Sequence, residues 1–280
     1  ITESTARWRG AGKAFYFGAP PQAADCLARA GVDLVSLANN HALDFDYAGL
    51  ADTFRILQAR GIAWAGAGED ERAATSVATL ARGGLRFGMA AFCDHQQDFA
   101  AGPATPGIAW LDLADEAGTL HRWRAALDDL HEAGVNWPIL SLHWGSNLAI
   151  RPPQRFRRLA HAAIDMGWRI LFGHSAHVYQ GVELYRGCPI LYAAGDLVDD
   201  YYVDPELRND LQFLFELELD AVRLRAIRMW PLRIDDCRSE PADPSMFAEM
   251  AETMIGRCAE LGTPVERIDG SLQVAVPEQA

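Results

Sequence analysis

The side chains best able to do chemistry are Asn39-Asn40-His41, His143 and the pair His174-x-x-His177. Imidazole nitrogens suit divalent transition metals such as zinc, manganese or iron. His143, His174, His177 and the amide oxygen of Asn40 would together supply most of a ligand set. A His-x-x-His loop is also able to place its two rings on neighbouring ions. Any one of these histidines alone is better explained as a locally hydrogen-bonded ring. That explanation does not cover four of eight histidines standing just after expected strands. The cluster is therefore read as one active site.

Several further residues carry weaker signals. Asp196, Asp199 and Asp200 lie next to an expected strand end; Asp196 is suited to acid–base work or to orienting a histidine, and all three also suit turns that satisfy backbone amides. Arg151, Arg155 and Arg158 stand at i, i+4 and i+7, where they could clamp a carboxylate or phosphate or simply face solvent. Arg151 is closest to the His143 loop and is the one taken as substrate-binding. Trp144 adjoins a ligand candidate and is read as a pocket wall, with packing as its ordinary alternative. Cys93-Asp94-His95 also follows an expected strand and is a minor candidate for the same pocket.

These residues need elements that deliver them to one place. Pro20-Pro21 opens a short helix closed by Gly31. The apolar run Val32 to Leu37 predicts a strand leading to Asn39-Asn40-His41, and Leu50, Phe54 and Leu57 mark a helix face ending at Gly61. Ile62 to Ala65 predicts a second strand, and Arg82-Gly83-Gly84 a hairpin into the strand Leu85 to Cys93. Gln96 to Ile108 reads as a long loop. Leu113 to Glu132 predicts a helix and Trp137 to Leu142 the strand that delivers His143. A helix from Pro153 precedes the strand Arg169 to Phe172, which delivers Gly173-His174. The strands Val182 to Tyr185 and Ile190 to Ala194 pair across Arg186-Gly187. Leu211 to Leu219 and Arg223 to Leu232 add further strands, and a helix near Pro244 to Leu261 closes the chain. Buried strands alternating with helices predict α/β layers, whose ligands bind beyond the strand carboxyl ends.

Bulk properties narrow the function classes. Half of the 280 residues are apolar, enough for one α/β domain spanning 1–280. A net charge of −13 repels nucleic-acid phosphates and excludes a general DNA or RNA binder. Five scattered cysteines without a CxxC pair give neither a disulfide framework nor a zinc knuckle, which predicts free thiols and a cytoplasmic setting. No apolar run approaches the roughly 18 residues of a membrane span. The chain begins at Ile1, without Met, in polar loop-like sequence, so its first strands are expected to be missing and an N-terminal signal or anchor stays open.

Ser36-Leu37-Ala38-Asn39-Asn40-His41-Ala42-Leu43-Asp44 resembles the Asn-His motif of the CapA-like proteins, named for bacterial capsule poly-γ-glutamate biosynthesis and related to calcineurin-like metallophosphatases. Ser141-Leu142-His143-Trp144-Gly145 resembles their next motif, and Gly173-His174-Ser175-Ala176-His177-Val178 their His-x-x-His motif. Gly181-Val182-Glu183, Pro189-Ile190-Leu191-Tyr192 and Gly195-Asp196-Leu197-Val198-Asp199-Asp200-Tyr201 continue the likeness in order. The resemblance implies a four-layer αββα sandwich with a two-metal centre. It implies Asn40, His143 and His174 on one ion, His177 on the other, and His41, oriented by Asp44, as the general acid or the group that stabilises the transition state. The family's upstream Gly-Asp and Asn-Leu-Glu motifs, whose carboxylates bridge the metals, do not occur in these 280 residues. The cofactor expected is therefore one or two divalent ions (Mn, Fe or Zn).

Three functions follow. The first is a metal-dependent hydrolase of a phosphoester, or of an amide in an acidic peptide or polymer. The second is a peptide Cα-epimerase of the lasso-peptide type, in which His41, His174, His177 and Asp196 would supply acid–base groups and the metal would be dispensable. The third is a non-enzymatic accessory subunit of capsule polymer synthesis.

Overall fold

The computed structural model describes residues 1–10 and 12–276. It is mixed α/β with several sheets, as the sequence predicts. The chain divides into two compact units, Ile1–His143 and Trp144–Ala280.

The first unit runs α1 (Ala23–Arg29), β1 (Leu34–Ser36), α2 (Asp46–Gln58), β2 (Ala63–Ala65), β3 (Ala67–Gly68), α3 (Glu71–Thr75), β4 (Ala78–Arg82), β5 (Leu85–Cys93), β6 (Gly107–Ile108), α4 (Glu116–Glu132) and β7 (Trp137–His143). β1 and β2 are parallel, with Ser36 opposite Ala65, so β1 hands directly to the Asn39–Asp44 loop. β4 and β5 form the expected hairpin. Gly83 and Gly84 both hold positive φ (56° and 79°), the mirror-image turn whose twist matches the strands. From Gly88 onward β5 is buried throughout, the continuous apolar reading of a strand covered on both faces. β5 pairs in parallel with β7 from Phe87↔Trp137 to Cys93↔His143, which brings the last residues of both strands to the same edge.

Helix α4 begins where Asp115 accepts from the Gly118 N–H at 2.9 Å. Trp123, Leu127 and Leu130 recur on one buried face. Burying each such side chain stabilises the fold by about 1.5–3 kcal/mol. The segment Gln96 to Ile108, expected to be a loop, instead holds a 3-10 turn at Gln97–Phe99 and the two-residue strand β6 paired with β3. The fully buried Phe99 ring ties that segment to the core.

The second unit contains α5 (Gln154–Met166), β8 (Ile170–His174), β9 (Val182–Tyr185), β10 (Cys188–Leu191), β11 (Leu211–Leu219), β12 (Leu224–Asp235), β13 (Arg238–Pro241), α6 (Pro244–Ala259), β14 (Val265–Ile268) and β15 (Ser271–Ala275). β8 pairs in parallel with β10, and β10 folds back on β9 through Arg186-Gly187. A second sheet has the order β11-β12-β15-β14, with β13 also on β12. Asp243 caps α6 by accepting from the Ser245 and Met246 N–H groups. The sequence reading expects that helix to be the last element, and the structure corrects this. β14 and β15 follow it, turning at Asp269-Gly270, where both residues hold positive φ (44° and 76°).

Candidate functional site

In the first unit, the loop after β1 sets His41 beside a buried carboxylate. Asn39 Oδ1 accepts the His41 backbone N–H at 2.8 Å and fixes the turn. His41 Nδ1 lies 2.6 Å from Asp44 Oδ2, and the Asp44 side chain is fully buried. Asp44 also accepts from Lys13 Nζ and, at 2.7 Å, from the Phe17 N–H. Burial alone would raise the Asp44 carboxyl. The hydrogen bonds from His41, Lys13 and Phe17 outweigh it and hold the group below the usual carboxylate range. An ionised Asp44 favours the His41 tautomer that carries its proton on Nδ1, facing the carboxylate.

Lys13 is the residue that sequence reasoning missed here. Its side chain is 8% exposed; the ammonium donates to Asp44 and to the Asn40 carbonyl and lies 3.4 Å from His41 Nδ1. It also sits over the Phe99 ring, 4.8 Å from the centroid. Phe17, likewise unassigned from sequence, lies against the His41 ring at 4.4 Å between centroids. Both come from a segment without periodicity, and only the turn at Asn39–Asp44 reveals what they face.

At the paired ends of β5 and β7, the donor atoms of Cys93, His95 and His143 all lie within 4.8 Å of one another. Tetrahedral legs of about 2.0–2.3 Å set donors roughly 3.3–3.8 Å apart, so the set would hold one ion once its side chains draw together by up to about 1 Å. His95 and His143 meet edge to face at 5.3 Å, and Asp94 Oδ1 approaches His95 Nδ1 at 2.5 Å. Of the first-unit residues singled out from sequence, His143 thus stands with Cys93 and His95, and His41 stands with Asp44. Asn40, directly before His41, is half-buried and held through its carbonyl by Lys13.

In the second unit, β8 ends at Gly173-His174. A side chain at Gly173 would meet the Tyr192 carbonyl at 2.0 Å, so only glycine fits before His174. Ser175 and His177 hold φ of 105° and 59°, a region that L residues avoid. Gln212 pins this turn by donating to the His177 carbonyl at 3.1 Å, and the Leu148 N–H donates to the Ala176 carbonyl at 2.7 Å. His177 Nδ1 faces Asp196 at 2.9 Å, and Tyr201 meets its ring edge to face at 4.7 Å. Desolvation lowers the His174 pKa to about 4, against the attraction of Asp196. Burial, with the neighbouring charge of Asp196, raises Asp199.

Trp144 is 3% exposed; it stacks on Phe156 at 4.3 Å and donates from Nε1 to the Tyr192 carbonyl. Arg151 is exposed and makes a two-pronged pair with Glu260, both contacts at 2.6 Å. Among the described residues no helix is long and apolar enough to cross a membrane.

The sequence matches the family described as "Bacterial capsule synthesis protein PGA_cap" over residues 1–201. A probable polyglutamine synthesis accessory protein of Mycobacterium tuberculosis is 34% identical, over 74% of this chain and 57% of that protein. The capsule biosynthesis protein CapA of Bacillus anthracis is 26% identical, over 71% of this chain and 48% of that protein. The chain spans about half the length of the curated relatives it matches. A 5'-nucleotidase precursor from Thermus thermophilus shows a partial structural likeness, with a TM-score of 0.47 and 17% identity over 83% of this chain and 45% of that one. With residues 1–201 matched, the chain belongs to the bacterial capsule synthesis protein family PGA_cap.

Proposed function

We propose that this chain is a metal-dependent hydrolase that cuts amide or phosphoester links in an acidic polymer, with poly-γ-glutamate the first substrate to test. The observation that carries the reading is the buried Lys13–Asp44–His41 relay in the same unit as the donor set that includes His143. Names of the relatives supply the polymer class: capsule biosynthesis in one case and polyglutamine synthesis in another.

His143 is the residue best placed to hold an ion, since sequence motif and geometry both put it in a donor group. A divalent ion held there would supply Lewis acidity and would lower the pKa of water. The chain's own part is proton transfer and orientation. Asp44 fixes the His41 ring, so Nε2 can protonate the departing amine or alkoxide. Such a positioned donor contributes about 10²–10⁴-fold. Lys13 neutralises Asp44, which prevents the carboxylate from taking the proton that His41 must deliver. Phe17 covers one side of the His41 ring and limits its rotation.

The test is to incubate the chain with poly-γ-glutamate and, separately, with a chromogenic phosphodiester, each with zinc, iron(II) or manganese. New amino termini or released phenol that vanish with chelator support the reading. No turnover of either substrate with any of the three ions overturns it. One specific observation favours a second reading, because the Mycobacterium tuberculosis relative is named an accessory protein. Tight polymer binding without cleavage would establish that reading. Neither the family nor these relatives lends support to the epimerase alternative.

A further inference from the structure

We infer that the first unit binds its ion through sulfur as well as nitrogen: Cys93, His95 and His143 form a Cys-His-His site, with Asp94 as the positioning residue for His95. The inference shares with the hydrolase reading the presence of a metal, but it does not depend on any bond being cut.

Four observations meet at this place. The parallel register of β5 and β7 sets Cys93 opposite His143, so two donors are fixed by backbone hydrogen bonding and not by flexible side chains. His95 follows two residues later. Its ring stands edge to face with His143, and the three donor atoms fall within 4.8 Å of one another. The backbone that carries them is clasped from both sides. The Asp94 N–H donates to the His143 carbonyl at 3.1 Å, the Cys93 N–H donates to the Ala109 carbonyl at 3.1 Å, and Leu111 donates to the Cys93 carbonyl at 2.8 Å. Finally, Asp94 Oδ1 lies 2.5 Å from His95 Nδ1. Metal-binding histidines almost always donate their second ring N–H to such a partner, which fixes the tautomer and raises ligand basicity. Here the two atoms approach without the alignment of a hydrogen bond, so the Asp94 carboxylate would turn into line with Nδ1–H when His95 offers Nε2 to an ion.

The ordinary explanation for Cys93 is a core thiol. It is 1% exposed and lies in a cluster with Met89, Ala91, Phe99 and Ile108. That explains its burial, and the His95 backbone N–H and carbonyl at 3.4 Å from the sulfur explain its nearness to that residue, but neither accounts for the convergence of two imidazoles on the same sulfur. The same burial leaves no room for a substrate to reach the sulfur as a nucleophile, whereas an ion needs far less space. Burial raises the Cys93 thiol, and the charge of Lys13, itself paired with Asp44, opposes this only in small part.

The donor set also selects the metal. One thiolate and two imidazoles favour zinc, iron(II) or cobalt(II) over magnesium and manganese, which prefer oxygen. Three protein ligands leave a fourth position open, the arrangement of catalytic rather than structural zinc sites.

Cobalt(II) and zinc are the probes. Cobalt-loaded chain is expected to show the near-ultraviolet thiolate-to-metal charge-transfer band, and zinc-loaded chain a sulfur scatterer at about 2.3 Å in X-ray absorption. The band should survive Cys26→Ser and Cys237→Ser, which alter exposed thiols. It should disappear in Cys93→Ser. Zinc affinity should fall about 10–100-fold in Asp94→Asn, as for other partners that hold a ligand histidine. X-ray absorption on the unmodified chain needs no variant to fold, so misfolding of Cys93→Ser would not obscure the answer. A zinc shell of nitrogen and oxygen alone, or an unchanged cobalt band in folded Cys93→Ser, overturns the inference. A sulfur shell without polymer cleavage would leave the site standing and count against the hydrolase. Cleavage with a sulfur-free ion would do the reverse.

Discussion

Each unit of the chain carries a histidine whose Nδ1 faces an aspartate, and the two pairs are built in opposite ways. Asp44 is fully buried and receives three donors, one of them the Lys13 ammonium. Asp196 is 21% exposed on its side chain, and its charged neighbour is another carboxylate, Asp199. The first pair is a closed relay in which positive charge balances negative before any ligand arrives. The second carries surplus negative charge at a strained turn. The same His–Asp contact thus fixes a proton in one unit and, in the other, leaves an electrostatic demand that a cation or a proton would meet.

The largest expected effect comes from opening the closed pair. Asp44→Asn leaves Lys13 buried without a counter-charge, which should cost about 3–5 kcal/mol in denaturant unfolding. It should also lower turnover about 10³–10⁴-fold by freeing the His41 tautomer. A loss under about 1 kcal/mol, the scale of a solvated pair, would show that the relay is not closed. Asp196→Asn should cost much less stability, about 0.2–1 kcal/mol, because its pair is partly solvated.

Acid should separate the units as well. His174 is held neutral, with a folded pKa near 4 against an unfolded value of about 6.5. Between those values the unfolded chain binds the extra proton, so in metal-free protein this stability is present above about pH 6.5 and lost as pH falls toward 4. Asp44 has a lowered folded pKa, so its contribution persists to about pH 4 and is lost only below it. Hydrogen exchange followed from pH 7 to 4 should show β8 amides losing protection before those of α2, and His174→Gln should abolish the difference. The smallest effect is expected at Asp199. Its folded pKa is raised, so the folded state is favoured below the unfolded pKa and that stability is lost as pH rises through the folded value. Asp199→Asn should therefore be neutral or slightly stabilising in urea at pH 7; clear destabilisation would mean that its charge is compensated.

Features set by short-range rules were legible in the sequence. Gly83-Gly84 and Arg186-Gly187 announce hairpins because only residues tolerant of positive φ fit there, and the strand ends before Asn39 and His174 follow from apolar runs. Asp269-Gly270 carries the same signal, masked by the helix before it, which has the look of a terminus. β6 was invisible because two residues have no period. At the site, Asp44 stands three positions after His41 on one turn, close enough to read locally. Lys13 lies 31 residues from Asp44, and Cys93 and His143 lie 50 apart. Their meeting depends on loop path and strand register, which the sequence does not spell out locally.

The central claim is that the His41–Asp44 relay delivers a proton during metal-assisted cleavage, and it is tested by comparing the chain with His41→Gln at saturating zinc. Metal content is measured on both samples and polymer length is followed by gel filtration. The expected result is equal zinc content, shortened poly-γ-glutamate with the parent chain and intact polymer with His41→Gln. Cleavage by His41→Gln at the parent rate would contradict it.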